Sequence, residues 1–234
     1  MNIADMNWFK VESYLKFDDR VILPLGSTEQ HAYLSLCTDF ILSEKLAKDA
    51  GGRCDIPVYP GLPFGVAPYF SAFPGTVTLR PETYKEVVLD LLSSLHKSGF
   101  RRILILNGHG GNSHVQEHLG KWQTENAPNC QLIFHDWWAS QKVMEAVHRI
   151  SPNASHASWM ENFPWTRLKD VEMPTYEKKA VDRHTIQHLS PEGVREYIGD
   201  GNYGGAYEAG PEAMLEIWRI ATQEVCELLE SGWT

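Results

Sequence analysis

Two short stretches of this chain gather residue types that bind metal ions. The first, Gly26-Ser-Thr-Glu-Gln-His31, is followed by Asp39. It offers two carboxylates, Glu29 and Asp39, and the imidazole of His31. Glu29 and His31 are two residues apart, so in extended backbone both side chains project the same way. The second stretch, Asn107-Gly-His-Gly-Gly-Asn112, presents His109 between glycines that let the backbone turn tightly. Carboxylates combined with two imidazoles suit a divalent ion such as Zn, Mn or Fe. A carboxylate shared between two ions suits a two-metal hydrolase. Simpler readings exist for each residue. Asp39 at a helix start also caps backbone, Glu29 reads equally as a surface carboxylate, and His109 as a solvated turn residue.

Other residues carry weaker signals. His114 and His118, and likewise His184 and His188, are four apart, a spacing that chelates on one helix face but that solvated histidines also show. Ser27 and Ser113 are potential nucleophiles, but the chain has no Gly-x-Ser-x-Gly elbow. The glycine-rich turn at 107–112 lacks a phosphate-loop Lys-Ser/Thr and the GxGxxG pattern. Asp136-Trp137-Trp138 reads equally as pocket wall or core.

These residues need elements to hold them together. Arg20 to Leu25 reads as a buried strand. Asp39 to Lys48 reads as a helix stopped by Gly51-Gly52. Asp55 to Tyr59 is a second strand candidate. Pro81 opens a long helix with Val87, Val88, Leu91, Leu92 and Leu95 on one face, ended by Gly99. Arg102 to Leu106 is the clearest strand and runs straight into the His109 turn. A helix begins near Asn112. Gln131 to Phe134 is a further strand, followed by His135 and Asp136, and Pro211 opens a last helix to about Leu229. Residues 151–210, rich in polar residues, Gly, Pro and aromatics, read as long loops around a site. Strands alternating with helices imply parallel pairing and a layered α/β/α sandwich with a mostly parallel sheet. Continuous apolar runs imply strands covered on both faces. In such sheets ligands sit beyond the carboxyl ends of the strands, where Ser27 to His31, Asn107 to Asn112 and His135 to Trp138 all fall.

Composition fits one α/β domain over residues 1–234, with 43% hydrophobic and 22% charged residues. The net charge of −9, with no basic cluster beyond Arg101-Arg102 and Lys178-Lys179, argues against nucleic acid. No basic-then-apolar leader opens the chain, and no run reaches the ~18 apolar residues of a membrane helix. Four scattered cysteines, Cys37, Cys54, Cys130 and Cys226, fit reduced thiols in a cytoplasmic protein.

In this order and at about these intervals, Gly26 to His31, Thr38-Asp39, Phe73-Pro-Gly-Thr76, Asn107 to Asn112 and the His-Ala-x-x-x-Glu segment from His156 to Glu161 resemble the creatininase (creatinine amidohydrolase) family. The resemblance covers roughly residues 20 to 165. It implies a creatininase-like layered hydrolase fold, one or two divalent ions per chain, and a homo-hexamer acting on a small molecule. Carried over by position, Glu29, Asp39 and His109 match the ligands of one ion. His31 and Asp39 match those of a second, with Asp39 bridging. The family's further ligand, a Glu two residues past the histidine of Asn-Gly-His, is replaced here by Gly111, and Glu161 is the candidate substitute. His156 matches a histidine near the substrate, a proton donor to the leaving group.

Three departures fall where substrate is held. The stretch after His31 reads Ala32-Tyr-Leu-Ser-Leu36, one residue short and without a second His. The Ser and His expected ahead of Phe73 are replaced by Ala67-Pro-Tyr-Phe-Ser-Ala72. The family's His-Ala-Gly-Glu pattern reads His156-Ala-Ser-Trp159. The expectation is therefore a hydrolase in which metal-activated water attacks the carbonyl of a small cyclic amide, formamide or cyclic ketone, such as an inosose-type polyol ketone, and not creatinine. A neighbouring carboxylate takes up the water's proton. The alternative is a non-catalytic protein that keeps the fold and binds a metal or small ligand.

Overall fold

The computed structural model describes residues 1–233. Three strands form one parallel sheet in the order β1 (Arg20–Leu25), β2 (Arg102–Asn107) and β3 (Gln131–Asp136). All six positions pair in register, from Arg20 beside Arg102 to Leu25 beside Asn107, and from Arg102 beside Gln131 to Asn107 beside Asp136. Leu25, Asn107 and Asp136 therefore end level, and the segments that follow them leave the sheet side by side.

Among the described residues the α-helices are α1 (Trp8–Tyr14), α2 (Thr38–Arg53), α3 (Pro81–Ser98), α4 (Gln116–Asn126), α5 (Gln141–Ile150), α6 (Arg183–Ile186), α7 (Pro191–Ile198) and α8 (Pro211–Ser231). Alternate strand residues feed two cores. Ile22, Leu104 and Leu106 pack with α2, α5 and α8 on one face, while Val21, Leu23, Leu25, Ile103 and Ile105 pack with α3 and α4 on the other. This is the expected α/β/α layering, and it explains why β1 and β2 read as unbroken apolar runs.

Several boundaries differ from expectation. Helix α2 passes through Gly51-Gly52 to Arg53. Glycine costs a helix only about 1 kcal/mol against alanine, and the buried face of Leu42, Leu46, Ala47 and Ala50 holds the helix to the sheet. The 55–59 segment runs beside β1, but only Val58 forms bridges, to Ile22 and Asn2. Pro57 and Pro60 lack the N–H groups that a full ladder needs. The buried face of α3 is Tyr84, Val88, Leu92 and Leu95, with Val87 and Leu91 at its margins. A 3-10 turn at Gly110–Val115 precedes α4. The long 151–210 region is mostly irregular, as expected, but contains α6 and α7. Trp218 lies in the core against Trp137, Phe163 and Trp165. Among the described residues no helix is long and apolar enough to cross a membrane.

Candidate metal centre

The carboxyl ends of β1 and β2 deliver the predicted residues to one place. Glu29 and His31 lie in the extended segment that follows β1, Asp39 is the second residue of α2, and His109 follows β2. Glu29, His31, Asp39, His109 and Glu161 are all buried. The Asp39 carboxylate makes no capping bond. Its Oδ2 accepts from Ser27 Oγ at 2.8 Å and faces His109 Nδ1 at 2.8 Å, and its Oδ1 lies 2.9 Å from His31 Nε2. The two oxygens thus face different histidines. Glu29 Oε1 is 3.3 Å from His109 Nδ1 and 4.0 Å from His31 Nε2, and Glu161 Oε2 is 3.9 Å from His31 Nε2.

Three overlapping sets have ligand atoms close enough to hold one ion: Glu29–Asp39–His109, His31–Asp39–Glu161 and Glu29–His31–His156. The first two are the sets expected from sequence, and they share Asp39.

The donor set fits a divalent cation on three observations. Three buried carboxylates are brought together, an arrangement that needs compensating positive charge. Glu29 Oε2 is buried without a hydrogen-bond partner, and His31 Nε2, though 2.9 Å from Asp39 Oδ1, is not aligned to bond it. Each histidine is oriented from behind by a main-chain carbonyl: His31 Nδ1 lies 3.2 Å from Glu29 O, and His109 Nε2 lies 2.9 Å from Val66 O. Such outer contacts fix the ring nitrogen that faces a metal.

The protonation states follow from the crowding. Burial alone would lower both ring pKa values, but the surrounding carboxylates outweigh it. His31 is raised to about 10, chiefly by Asp39, and His109 well above its ordinary value, chiefly by Glu29 and Asp39. Burial would raise the Asp39 carboxyl, yet His31 and His109 hold it below the usual range. Burial pushes Glu161 up to about 7 against the opposing His31 charge, with Asp39 and Glu29 adding to the rise. Its Oε2 also accepts from Ala157 N at 2.6 Å. His156 is held well below its ordinary value, first by burial and then by the charge on His31.

The centre opens into a cavity of about 710 Å³. Its walls include Val66 to Phe70, Trp138, Met144, Met160 and Tyr203, with His114 and Arg183 also lining it. The replaced segment at 67–70 therefore shapes the cavity. Trp138 is wall and Trp137 is core. His114 stands near the main-chain carbonyls of Gly111 and Pro81, and neither four-spaced histidine pair joins a metal-binding set among the described residues. His135 turns away from the site toward Glu224 on α8 at 3.7 Å. The hydroxyl of Ser27 is committed to Asp39, and Ser113 donates to Asp136.

Several supporting residues were not foreseen. Asn107 Nδ2 donates to His109 O and to Asp136 Oδ1, tying the turn to β3. Asn112 accepts from Val66 N and donates to Gly26 O and Asn107 Oδ1. Gln30 bonds His156, and Tyr203 and Phe70 flank that ring. The asparagines that close the Asn-Gly-His-Gly-Gly-Asn segment signalled the first two. No spacing linked Gln30 to a residue 126 positions away.

Fold and site together define a layered α/β protein with a carboxylate–histidine centre able to hold divalent ions at the carboxyl ends of its strands. Residues 4–229 match the family described as Creatininase: Creatinine amidohydrolase, and the chain belongs to that family. Its sequence is 30% identical over 118 residues to a creatinine amidohydrolase of Pseudomonas putida, covering 47% of this chain and 45% of that one. It is 29% identical over 107 residues to a 3-dehydro-scyllo-inosose hydrolase of Thermotoga maritima (45% and 34%). It is 30% identical over 103 residues to a mycofactocin precursor peptide peptidase of Mycobacterium tuberculosis (39% and 41%). The matched regions thus span less than half the length of each of these relatives. The fold matches a crystal structure of creatinine amidohydrolase with a TM-score of 0.83 at 20% identity, covering 99% of this chain and 97% of the other. It matches a structure of creatininase with Mn with a TM-score of 0.77 at 21% identity, covering 99% and 98%.

Proposed function

We propose that this protein is a metal-dependent hydrolase of small carbonyl compounds: a cyclic amide, a formamide or a cyclic ketone of the inosose type. The observation that carries the reading is Asp39. Its two oxygens face His109 and His31 separately, and it belongs both to the set with Glu29 and to the set with Glu161. On this reading Glu29, Asp39 and His109 hold one divalent ion, and His31, Asp39 and Glu161 hold a second. When bound, such ions lower the pKa of water and polarise a carbonyl oxygen.

The chain's own residues supply the rest. His31 and His109 give up the protons that the carboxylates otherwise hold on them. Glu161, anchored through one oxygen by the Ala157 amide, takes the proton released from the attacking water and passes it to the leaving atom. His156 stands beside the centre, with its Nδ1 3.8 Å from Glu29 Oε1. The apolar walls exclude water and fit the hydrocarbon part of a substrate.

The relatives' names cover an amide, a polyol ketone and a peptide, which supports carbonyl hydrolysis without favouring one substrate. The changed cavity segment at 67–70 argues against creatinine. Cytoplasmic location and hexameric assembly are part of the same reading. Trp8, Phe9 and Phe17, large apolar side chains exposed on and just after α1, are candidates for subunit contact.

The test is a panel of lactams, other cyclic amides, formamides and cyclic ketones, assayed as purified, after chelation, and after return of Zn or Mn. Turnover that falls on chelation and returns with the ion is expected. Turnover that survives chelation contradicts the reading. Purification with well under one tightly held ion per chain and no turnover would favour a non-catalytic ligand-binding protein.

A further inference from the structure

Gln30 stands in sequence between Glu29 and His31, yet its side chain bonds to neither. It is buried, and three partners fix its amide. Gln30 Oε1 accepts from Ala32 N at 3.1 Å. Gln30 Nε2 donates to Gly201 O at 3.2 Å and lies 2.8 Å from His156 Nε2. A backbone N–H only donates and a carbonyl only accepts, so one amide orientation satisfies both main-chain partners. In that orientation Gln30 Nε2 donates to His156, and His156 Nε2 must accept. The ring proton then sits on Nδ1. Gly201 makes the contact possible. Its φ is +102°, and a Cβ there would lie 1.7 Å from Gln30 Oε1.

Nδ1 is the ring nitrogen that faces the metal centre, 3.8 Å from Glu29 Oε1. The ring itself is clamped. Phe70 stacks on it at 4.8 Å with an interplanar angle of 11°, Tyr203 lies at 5.0 Å and His31 at 4.5 Å between centroids.

We propose that Gln30 is a positioning residue that fixes His156 as its Nδ1–H tautomer, and that His156 acts as a fixed hydrogen-bond donor to the carbonyl oxygen of the substrate. This rests on the hydrolase reading above, and it revises the role expected for His156 from sequence. A nitrogen that carries a proton has no lone pair for a metal, so His156 is not the third ligand of the Glu29–His31–His156 set. Nor is it the acid for the leaving group, because a ring without a second proton releases Nδ1–H only as an imidazolate, a very strong base. A preset donor aimed at an oxygen that gains charge is the role such a ring performs well. His156 keeps its proton from start to finish. The proton balance of hydrolysis closes among water, Glu161 and the leaving atom.

The test uses zinc-loaded protein labelled with ¹⁵N-histidine. Long-range ¹H–¹⁵N correlation spectra report which ring nitrogen carries the proton, and His156→Gln identifies the His156 signals by their loss. The expected spectrum has His156 protonated at Nδ1, with Nε2 as the acceptor. Gln30→Glu offers an acceptor in place of the donor. It should move the proton to Nε2 and lower kcat about 100-fold or more, the effect of losing one oxyanion donor, with KM little changed. Gln30→Met, which removes the donor without adding an acceptor, should give mixed tautomers and a smaller loss. Wild-type His156 protonated at Nε2, or at both nitrogens through neutral pH, overturns the proposal, as does an unchanged tautomer and kcat in Gln30→Glu. The wild-type spectrum, once assigned, needs no known substrate. A predicted spectrum without hydrolysis of any carbonyl compound would sink the hydrolase reading and the donor role while keeping the tautomer assignment. Hydrolysis with the proton on Nε2 would do the reverse.

Discussion

His109 donates through Nε2 to the carbonyl oxygen of Val66 at 2.9 Å, which turns its Nδ1 toward Asp39 and Glu29. The same carbonyl occupies the space beside residue 111. A Cβ on Gly111 would lie 1.8 Å from Val66 O and 2.6 Å from His109 Nε2. The missing family carboxylate and the carbonyl behind His109 are therefore alternatives: this chain has the second where a side chain at 111 would need the room.

Gly111→Ala should push the Val66 carbonyl away and loosen His109 without unfolding the chain. Loss of such an outer contact weakens metal binding by about 10–100-fold. Gly111→Glu should weaken it too, even though it restores the family's residue type. Competition against a chelating dye reads the affinity. Wild-type zinc affinity in Gly111→Ala would contradict the account.

Glu161→Gln should remove one of two ions. The Glu29–Asp39–His109 set contains no atom of Glu161, so metal analysis should fall from two ions per chain to one. Turnover should be lost with the second ion. A variant that keeps both ions, or loses both, would remove Glu161 from the role given to it.

How much of this was legible in the sequence depends on distance along the chain. The strands Arg20–Leu25 and Arg102–Asn107 were readable because both faces are covered and their apolar runs are unbroken. His109 was readable because glycines flank it at a strand end. The extent of α2 was misread because burial of Leu46, Ala47 and Ala50 outweighs the glycine preference that marks a stop. His135 was misplaced because β3 alternates sides, sending Asp136 to the Asn107 turn and His135 to Glu224. The Gln30–His156 bond and the His109–Val66 contact were invisible, since one joins residues 126 apart and the other uses a main-chain acceptor that any residue type at 66 would supply.

Asp18 gives a stability prediction away from the site. It bonds Arg20 Nε at 2.9 Å and Arg102 Nη2 at 3.1 Å, joining the starts of β1 and β2. Burial would raise its carboxyl, but bonding and charge from Arg20, with charge from Arg102, hold it below its ordinary value of 3.8. A depressed acid stabilises the fold above its unfolded pKa, and that stability is lost as pH falls through the folded value. Asp18→Asn should thus lower stability by about 1 kcal/mol at pH 7, the scale of a partly exposed pair. The gap should narrow below about pH 4. Urea unfolding at pH 7 and pH 3 reads both, and a gap that widens in acid would contradict the assignment.

Whether two ions share Asp39 can be read from anomalous diffraction of crystals grown with Zn or Mn. Two anomalous peaks are expected. One should be bound by Glu29, Asp39 and His109, and the other by His31, Asp39 and Glu161, with zinc–ligand distances of about 2.0–2.2 Å. A single peak with Glu161 turned to solvent, or an ion held by His156 Nδ1, would contradict it.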